Sequence, residues 1–498
     1  MMKLLYGAFQ ERAMQEAKKF ALDVSLTLIA SMINMLLTFI ISIILARYLG
    51  AAELGLYRLT YTFYGVATTV GALGIPAAII KYVAEYKDDK VNLNKMISSA
   101  IITSLIVGII LCIMVYLLSQ SFADLFKMPG IKRLLEMLGP VFPFVLVNAV
   151  LYGTLNGLRD MNKYATALII QQVLMTLSTA ILIYYGYGVS GAIIGIMISS
   201  IGVSAILIYW CKDLVYLTFE EYVQTAKKLT CFGSQMFGAN LINMINLQAD
   251  TVFLGYFLTA ADVGFYSAAT GLSKFFWVVP QAIQTISYPA TSEYWSKRDI
   301  RGLQKMLDKS MKYSALGLIP AGLAIGFFAE EMVTIIYGQG FYSSALPLQI
   351  LLIGTVIFGV FCTAIGGSLA GVNRPDLGLK AAGFSAAINI LLNIVLIPRF
   401  GVLGAATATA LSLITMALIF YTLTIKTLLL NANIKWIIKI AGITSAAIIF
   451  FVIFSTLINT NLLKFCLLFS VSVLYIIILI ERDEIVLLKS SLRAMVKK

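Results

Sequence analysis

Residues 24–46 read VSLTLIASMINMLLTFIISIILA, a run of 23 positions without one charged side chain. At a rise of 1.5 Å per residue, such a segment is long enough to cross the ~30 Å hydrocarbon core of a bilayer as a helix. Comparable apolar segments recur along the whole chain, and we place fourteen of them. They lie at about 22–46, 58–80, 96–120, 134–156, 164–186, 189–211, 231–257, 265–290, 313–337, 345–370, 377–397, 402–425, 436–458 and 462–480.

The composition supports a polytopic, all-α membrane protein. Of the 498 residues, 60% are hydrophobic and 12% are charged, whereas about 25% of the residues of a soluble domain are charged. The mean hydropathy is +0.91. These values exclude a soluble enzyme, a disordered chain and a disulfide scaffold.

Residue types that carry much of enzyme chemistry are missing from the sequence. There is no histidine, and the five cysteines form no CxxC pair. Ser-His-Asp and Cys-His catalysis, HExxH zinc sites and haem ligation by histidine are therefore excluded. We predict a transporter rather than an enzyme, with no cofactor, no metal site and no nucleic-acid partner; coupling to Na⁺, H⁺ or the membrane potential is left open.

The distribution of basic residues predicts the orientation. With an even number of spans, the two ends and the even-numbered loops carry 29 Lys and Arg residues, and the opposite side carries 7. Because basic residues are concentrated on cytoplasmic loops, both termini are expected in the cytoplasm, in a protein of the cell membrane. The polar residues 1–21 predict an interfacial helix, and residues 481–498 a cytoplasmic tail.

The chain contains an internal repeat. The segment Tyr48–Tyr57 (YLGAAELGLY) returns at Phe257–Tyr266 (FLTAADVGFY), at an offset of 209. Weaker matches follow in the same order, so the chain is predicted to contain two six-helix lobes in parallel orientation, 22–211 and 231–428. The connection 212–230 joins the lobes, and two further helices occupy 429–480.

The residues of the repeat resemble the polysaccharide-export flippases of the multidrug/oligosaccharidyl-lipid/polysaccharide (MOP) superfamily. The resemblance rests on Ala46-Arg47-Tyr48 with Glu53-Leu-Gly55, on Asp262-Val-Gly264-Phe-Tyr266, and on Leu369-Ala-Gly371-Val-Asn373-Arg374-Pro375. It implies a flippase that carries polyprenyl-(pyro)phosphate-linked oligosaccharide from the cytoplasmic to the outer leaflet by alternating access of two lobes. The expected partners are this lipid-linked saccharide and membrane lipid, and the protein is expected to be monomeric.

Polar side chains at bilayer depth mark the candidate site. On the first helix Ser31, Asn34, Thr38 and Ser42 share one face, and on the seventh Asn240, Asn243, Asn246 and Asp250 do so. Each stripe follows the helical period, and the two stripes occupy equivalent positions of the repeat, since Asn34 and Asn243 stand at the offset of 209. The favoured interpretation is a cavity lining between the lobes, and the alternative is interhelical packing through hydrogen bonds.

The eighth helix carries Lys274, Trp277, Gln281, Gln284 and Tyr288 on one face. Lys274 is the one basic residue in the interior of a predicted span, away from its ends. Two interpretations stay open: a cation for the substrate's phosphate, with Asp250 as a neutralising partner or coupling site, or a structural ion pair. Aromatic faces can stack on sugars, so Tyr61 and Tyr64 join the candidates, as do Arg47 and Arg58 at the predicted outer mouth.

Two other functions compete with the flippase. A cation-coupled multidrug exporter of the same superfamily would rely on acidic groups in its cavity, whereas Lys274 and the two additional helices favour a lipid-linked substrate. A membrane-bound polysaccharide polymerase would need a long outer loop with catalytic residues, and the predicted loops are short.

Overall fold

The structure, a computed structural model, describes residues 2–457 and 461–479. These residues contain helices and no strand. The first half holds α1 (Met2–Ala72), α2 (Ile75–Glu85), α3 (Lys90–Leu125), α4 (Gly130–Leu138), α5 (Phe142–Gly157), α6 (Met161–Tyr184), α7 (Gly188–Cys211) and α8 (Tyr222–Phe257). The second half holds α9 (Ala260–Ser273), α10 (Val278–Ser296), α11 (Ile300–Phe327), α12 (Ala329–Tyr337), α13 (Ala345–Phe361), α14 (Ser368–Gly371), α15 (Pro375–Phe400), α16 (Val402–Leu428), α17 (Ile434–Leu457) and α18 (Asn461–Leu479).

Each of the fourteen predicted segments has a helical counterpart. Within the described residues, nine helices are long and apolar enough to cross a membrane, and α11 with α12, bent by 77°, would be a tenth. The count is lower than fourteen because the first two predicted segments share the 48-residue helix Ser25–Ala72 and because Cys466–Leu479 is short. The two remaining predicted segments, 231–257 and 265–290, correspond to the helices around 222–257 and 260–296, which carry the predicted polar site residues. The chain is an all-α, multi-pass membrane protein.

Prolines and glycines determine where the helices break. The second predicted segment, 58–80, is interrupted at Leu73 and Gly74, and Pro76 occupies the first turn of α2, where a proline needs no amide hydrogen. A 3₁₀ turn, Lys274–Trp277, separates α9 from α10 just before Pro280. α1 itself bends at Gly50.

Contacts divide the chain into two compact units. Unit 1 comprises Met1–Gly271, Val333–Ser344 and Ala386–Ala405, and unit 2 comprises Leu272–Met332, Ala345–Ser385 and Ala406–Lys498. Unit 1 thus contains the whole first predicted lobe together with the first helix of the second. The lobe boundaries, which rest on sequence repetition, stay a prediction. The predicted cytoplasmic tail 481–498 lies outside the described residues, and residues 2–21 of the predicted interfacial segment belong to α1.

The repeat appears as a reciprocal contact inside unit 1. A Cβ atom placed on Gly55 would collide with the carbonyl oxygen of Ala260, and one placed on Gly264 would collide with that of Ala51. Gly55 and Gly264 are equivalent at the offset of 209, and so are Ala51 and Ala260. The two copies therefore approach each other backbone to backbone through the same four positions, as a local two-fold axis requires.

A second pair of equivalent features lies at the starts of α3 and α11. Asp89 and Asp299, at an offset of 210, cap the two helices by accepting backbone hydrogen bonds from Asn92 and Gly302. In unit 1 the Asn94 amide exchanges hydrogen bonds with the backbone of Tyr216, at 2.7 and 2.8 Å.

In unit 2 the Gln304 amide does the same with the backbone of Asn431, at 3.0 and 2.9 Å. Asn94 and Gln304 also stand at the offset of 210. Each copy therefore anchors the segment after its last helix to the third helix of that copy.

Candidate functional site

Asp250 is the centre of a buried polar network in unit 1. Its side chain lies on α8 and is 5% exposed. The Tyr266 hydroxyl donates to Oδ2 at 2.7 Å, and the Nδ2 groups of Asn389 and Asn393, both on α15, donate to Oδ1 at 2.9 and 2.6 Å. Asn393 Nδ2 also reaches Asn389 Oδ1 at 3.0 Å. Such a set of donors holds a carboxylate in one position inside a low-dielectric interior.

Three members of this network were missed by sequence reasoning. Tyr266 appeared only as part of the repeat, and Asn389 and Asn393 were not singled out. Their spacing of four places both asparagines on one face of α15, which is the signal that could have found them. The Oδ1 atom of Asn393 is buried and has no hydrogen-bond partner among the described residues, so the network retains one unused acceptor.

The other members of the two predicted stripes have different surroundings. On α8, Asn240 and Asn243 are exposed and Asn246 is half-buried. On α1, Thr38 accepts a hydrogen bond from Gln172 of α6 at 3.0 Å. Asn34 is half-buried, and its Oδ1 atom has no partner among the described residues. The stripes therefore combine packing contacts with uncommitted polar atoms, and their role as a cavity lining stays a prediction.

Lys274 lies in unit 2, in the 3₁₀ turn between α9 and α10, and it is half-buried. A short 3₁₀ stretch between two α-helices often marks a hinge or a functional position. Trp277 ends the same turn, with its ring 5.7 Å from that of Phe358. The indole Nε1 of Trp277 is buried without a hydrogen-bond partner in the described part of the chain. The turn thus presents an ammonium group and an uncommitted donor within four residues.

The other predicted residues of this face lie along α10 and differ in their exposure and contacts. Gln281 is exposed, whereas Gln284 and Tyr288 lie against Gly366 and Gly367, whose missing side chains make room for them. Gln284 therefore has a packing role in unit 2, and Gln281 is the amide that stays accessible.

The tyrosines of α1 form a ladder. The rings of Tyr57 and Tyr61 lie 5.8 Å apart, those of Tyr61 and Tyr64 lie 5.5 Å apart, and Tyr64 continues to Phe142 at 6.0 Å. Tyr57 is buried, and Tyr61 and Tyr64 are half-buried. The latter two therefore keep part of their faces available.

The two predicted mouth arginines differ in what they contact. Arg47 donates to the backbone carbonyl groups of Ile335 and Ile336, so it caps the end of α12. Arg58 is half-buried on the same turn of α1 as Tyr57 and Tyr61. Arg47 consequently has a structural contact within unit 1 that its sequence position did not predict.

An apolar recess lies inside unit 2. It has a volume of about 730 Å³ and is lined by α11, α13, α16 and α17. Ile319, Leu352, Val356 and Ile440 are typical of its walls, and Gln349, Tyr421, Thr444 and Ser445 are among its few polar side chains. α17 belongs to the pair of helices that follow the predicted repeat.

Comparison with known proteins identifies the family. A model described as "polysaccharide biosynthesis protein" matches residues 44–346, which is more than half of the chain. The chain belongs to the polysaccharide biosynthesis protein family. One similar relative is a probable low-salt glycan biosynthesis flippase of Haloferax volcanii. It is 25% identical over 376 residues, which cover 74% of this chain and 75% of the relative.

Solved structures show how this family member folds. The lipid II flippase MurJ, in an inward closed conformation, matches with a TM-score of 0.75 and 19% identity, over 92% of this chain and 98% of that chain. A multidrug resistance MATE transporter of the MOP superfamily, facing inward, matches with a TM-score of 0.66 and 16% identity, over 79% and 94%. The family model confirms the predicted resemblance to proteins of polysaccharide export, and the relatives named above are flippases and a transporter.

Proposed function

We propose that this protein moves a polyprenyl-(pyro)phosphate-linked oligosaccharide from the cytoplasmic to the outer leaflet, for the assembly of a surface glycan. The observation that carries the proposal is the apolar recess of unit 2. Its volume of about 730 Å³ is that of a ligand-binding pocket, and its walls are almost entirely apolar. A hydrocarbon chain fits such a recess, whereas a soluble sugar alone would not.

α17 distinguishes this function from small-molecule export. This helix supplies Ile437, Ile440 and Ile448 to the recess, although it lies outside the predicted repeat. The MATE transporter matches 79% of the chain, and the lipid II flippase matches 92%. The added helix and the more extensive match favour a lipid-linked substrate over a multidrug substrate.

We assign Lys274 to the phosphate of the substrate. An anion in a layer of low dielectric constant is costly, and one fixed ammonium group offsets much of that cost. Gly65 occupies the equivalent position in the first copy of the repeat, so the shared architecture does not need a lysine there. The uncommitted Nε1–H of Trp277 would donate to a phosphate or sugar oxygen, and Gln281 could bind the saccharide.

We assign Asp250 to coupling with a cation. Its equivalent at the offset of 209 is Ile41, a buried apolar residue. The repeated fold therefore does not require a carboxylate at this position. The network around Asp250 holds that carboxylate beside the unused Oδ1 atom of Asn393. A proton or a small hard cation such as Na⁺ prefers oxygen groups of this kind. Transport by a single chain with both termini in the cytoplasm completes the proposal.

The test is transport by the purified protein in vesicles that contain a lipid-linked oligosaccharide, followed through the access of an external lectin to the sugar. Losing a charge-assisted hydrogen bond costs about 1.5–3 kcal/mol. Lys274→Ala should therefore slow transport roughly 10- to 100-fold, and Lys274→Arg should retain part of it. Lys297→Ala is the matched control, because Lys297 is exposed and pairs with Glu293 at the end of α10.

Two results would contradict this assignment. Full transport by Lys274→Ala would show that the ammonium group does not contact the substrate. Full recovery in Lys274→Ala combined with Asp250→Asn, which keeps an acceptor for Asn389 and Asn393, would show that Lys274 and Asp250 only neutralise each other. Wild-type vesicles that export a cationic dye but no lipid-linked sugar would favour the multidrug alternative.

A further inference from the structure

A cluster of lysines and aromatic rings joins α2 to the start of α8 in unit 1. We call Lys81, Tyr82, Tyr86, Lys228 and Phe232 the lysine–aromatic cluster. The Lys81 ammonium lies 4.4 Å from the ring centroid of Phe232 and 4.9 Å from that of Tyr82. The Lys228 ammonium lies 4.6 Å from Tyr82 and 5.0 Å from Tyr86. Each helix therefore places its lysine over a ring of the other helix, and both ammonium groups share the ring of Tyr82.

Close backbone packing between α2 and α8 holds this arrangement in place. Gly74, at the start of α2 with φ of +71°, touches the backbone of Gly233 on α8 so closely that a Cβ atom on either residue would collide with the other. A left-handed conformation without steric cost requires glycine. Tyr82 and Leu229 are buried in one hydrophobic cluster beneath the lysines. The two ammonium groups are thus held by a packed helix pair rather than by loops.

The two lysines of the cluster form no close ion pair with a carboxylate. Lys95, Lys163 and Lys297 all form ion pairs with carboxylates. By contrast, among the side chains that the structure describes, no carboxylate lies within 4.0 Å of the ammonium of Lys81 or Lys228. Lys228 donates instead to the Tyr86 hydroxyl at 2.8 Å, which raises the pKa of Lys228, and Glu85 acts on it only from a greater distance.

The repeated fold does not require the cluster. Glu85-Tyr86 returns as Glu293-Tyr294 at an offset of 208, and at that offset Lys81 and Tyr82 become Pro289 and Ala290. Lysines that hold two positive charges together without an acid, in one copy of the repeat alone, indicate a site for an anion. Cation–π contacts leave the outer N–H groups of each ammonium free to donate.

We propose that the lysine–aromatic cluster binds the phosphate group of a lipid at the cytoplasmic surface, and that this lipid is the polyprenyl-linked substrate before it enters the transporter. The inference rests on the proposed function and on the predicted orientation, which places the end of α2 and the start of α8 in the cytoplasm. The two ammonium groups lie 4.9 and 4.6 Å from the ring centroid of Tyr82, and the edge of this ring is where we place the phosphate or pyrophosphate. The cluster is distinct from Lys274, which belongs to unit 2.

The experiment measures lipid binding by the full chain in neutral detergent, by native mass spectrometry with polyprenyl phosphate as the probe. Each basic residue near a membrane surface contributes a roughly 5-fold gain in affinity for an anionic lipid. Lys81→Gln and Lys228→Gln should each weaken binding about 5-fold, and the double variant about 30-fold. Lys87→Gln with Lys90→Gln removes the same charge from two adjacent exposed positions, in the turn after α2 and at the start of α3, and should leave binding unchanged.

Two further probes identify the source of the phosphate. Phosphatidylglycerol and inorganic phosphate are measured against the same variants. Equal loss of phosphatidylglycerol binding would make the cluster a general anchor for anionic lipid, and displacement of the lipid by equimolar inorganic phosphate would make it a free-phosphate site. Either result, or unchanged binding in the double variant, overturns the proposal.

A second measurement tests the proposal in the case that the lysine variants fail to fold. A photoreactive benzoylphenylalanine in place of Phe232 keeps both lysines and should cross-link to polyprenyl phosphate, and absence of that cross-link overturns the proposal. The proposed function is judged separately, by wild-type transport and by Lys274→Ala. Normal transport with unchanged binding in the double variant removes this inference alone.

Discussion

Asp250→Asn separates the charge of Asp250 from its packing. In the native network the carboxylate accepts hydrogen bonds from Tyr266, Asn389 and Asn393. An asparagine side chain has the same shape, so its oxygen can accept from the two asparagines. Its amide can donate to the Tyr266 hydroxyl, which accepts as readily as it donates. The variant therefore removes the negative charge while the two asparagine donors keep their acceptor, and only the Tyr266 O–H loses the acceptor that it had.

The expected stability change follows from these contacts. Because only the Tyr266 O–H loses its acceptor, Asp250→Asn should cost about 1–3 kcal/mol of unfolding free energy. Asp250→Leu would strand three buried donors at roughly 1–3 kcal/mol each, or about 3–9 kcal/mol in total. That amount approaches the whole stability of a typical domain, about 5–15 kcal/mol. Asp250→Asn is consequently the informative change, and Asp250→Leu tests only folding.

The assay combines thermal unfolding in detergent with transport in vesicles under an imposed Na⁺ or H⁺ gradient. For Asp250→Asn we expect a folded protein whose unfolding free energy falls by no more than about 3 kcal/mol, transport lowered at least 10-fold, and no response to the gradient that drives the wild type. Tyr266→Phe removes one hydrogen bond but keeps the carboxylate, so it should retain the gradient response. If Asp250→Asn transports at the wild-type rate with the same gradient dependence, Asp250 is a structural acceptor and the coupling role is refuted.

Two further predictions concern the repeat and the orientation. Gly55→Ala and Gly264→Ala should each lower the unfolding free energy by about 1–3 kcal/mol, since the new methyl group meets a backbone carbonyl. Gly65→Ala, where a Cβ meets nothing within 4 Å, should be neutral, and equal stability of all three variants would remove the reciprocal contact. A reporter active only in the cytoplasm should give signal when fused to Lys498 and none in the loop at Asp262; the opposite pattern would reverse the predicted direction of transport.

The sequence was sufficient for the helices but not for their breaks. Hydropathy averaged over a span locates an apolar segment, because burial in lipid depends on the sum of many side chains. The break at Leu73 and Gly74 and the 3₁₀ turn at Lys274–Trp277 depend on the backbone angles of a few residues. Pro76 and Pro280 stand next to these two places, and a proline in a helical segment favours a kink. They could not predict that Lys274 itself would lie in the irregular turn, between two helices rather than within one.

Site residues that follow the helical period or the repeat could be predicted from the sequence. Site residues that depend on contacts between distant parts of the chain could not. Helical phase and the offset of 209 were enough to select Asp250, but its donors Asn389 and Asn393 are 139 and 143 residues away. A pairing at that separation is set by which helices pack together, and one sequence does not contain that fact. The lysine–aromatic cluster illustrates the same limit. Lys81 and Lys228 were two of many predicted cytoplasmic lysines, and only the approach of Gly74 to Gly233 makes them neighbours.

The most informative positions for experiment are those that differ between the two copies of the repeat, such as Asp250 for Ile41 and Lys274 for Gly65. The shared fold accounts for the residues that the copies have in common. It leaves the differing residues unexplained, so these are the residues for which a role in transport has to be tested.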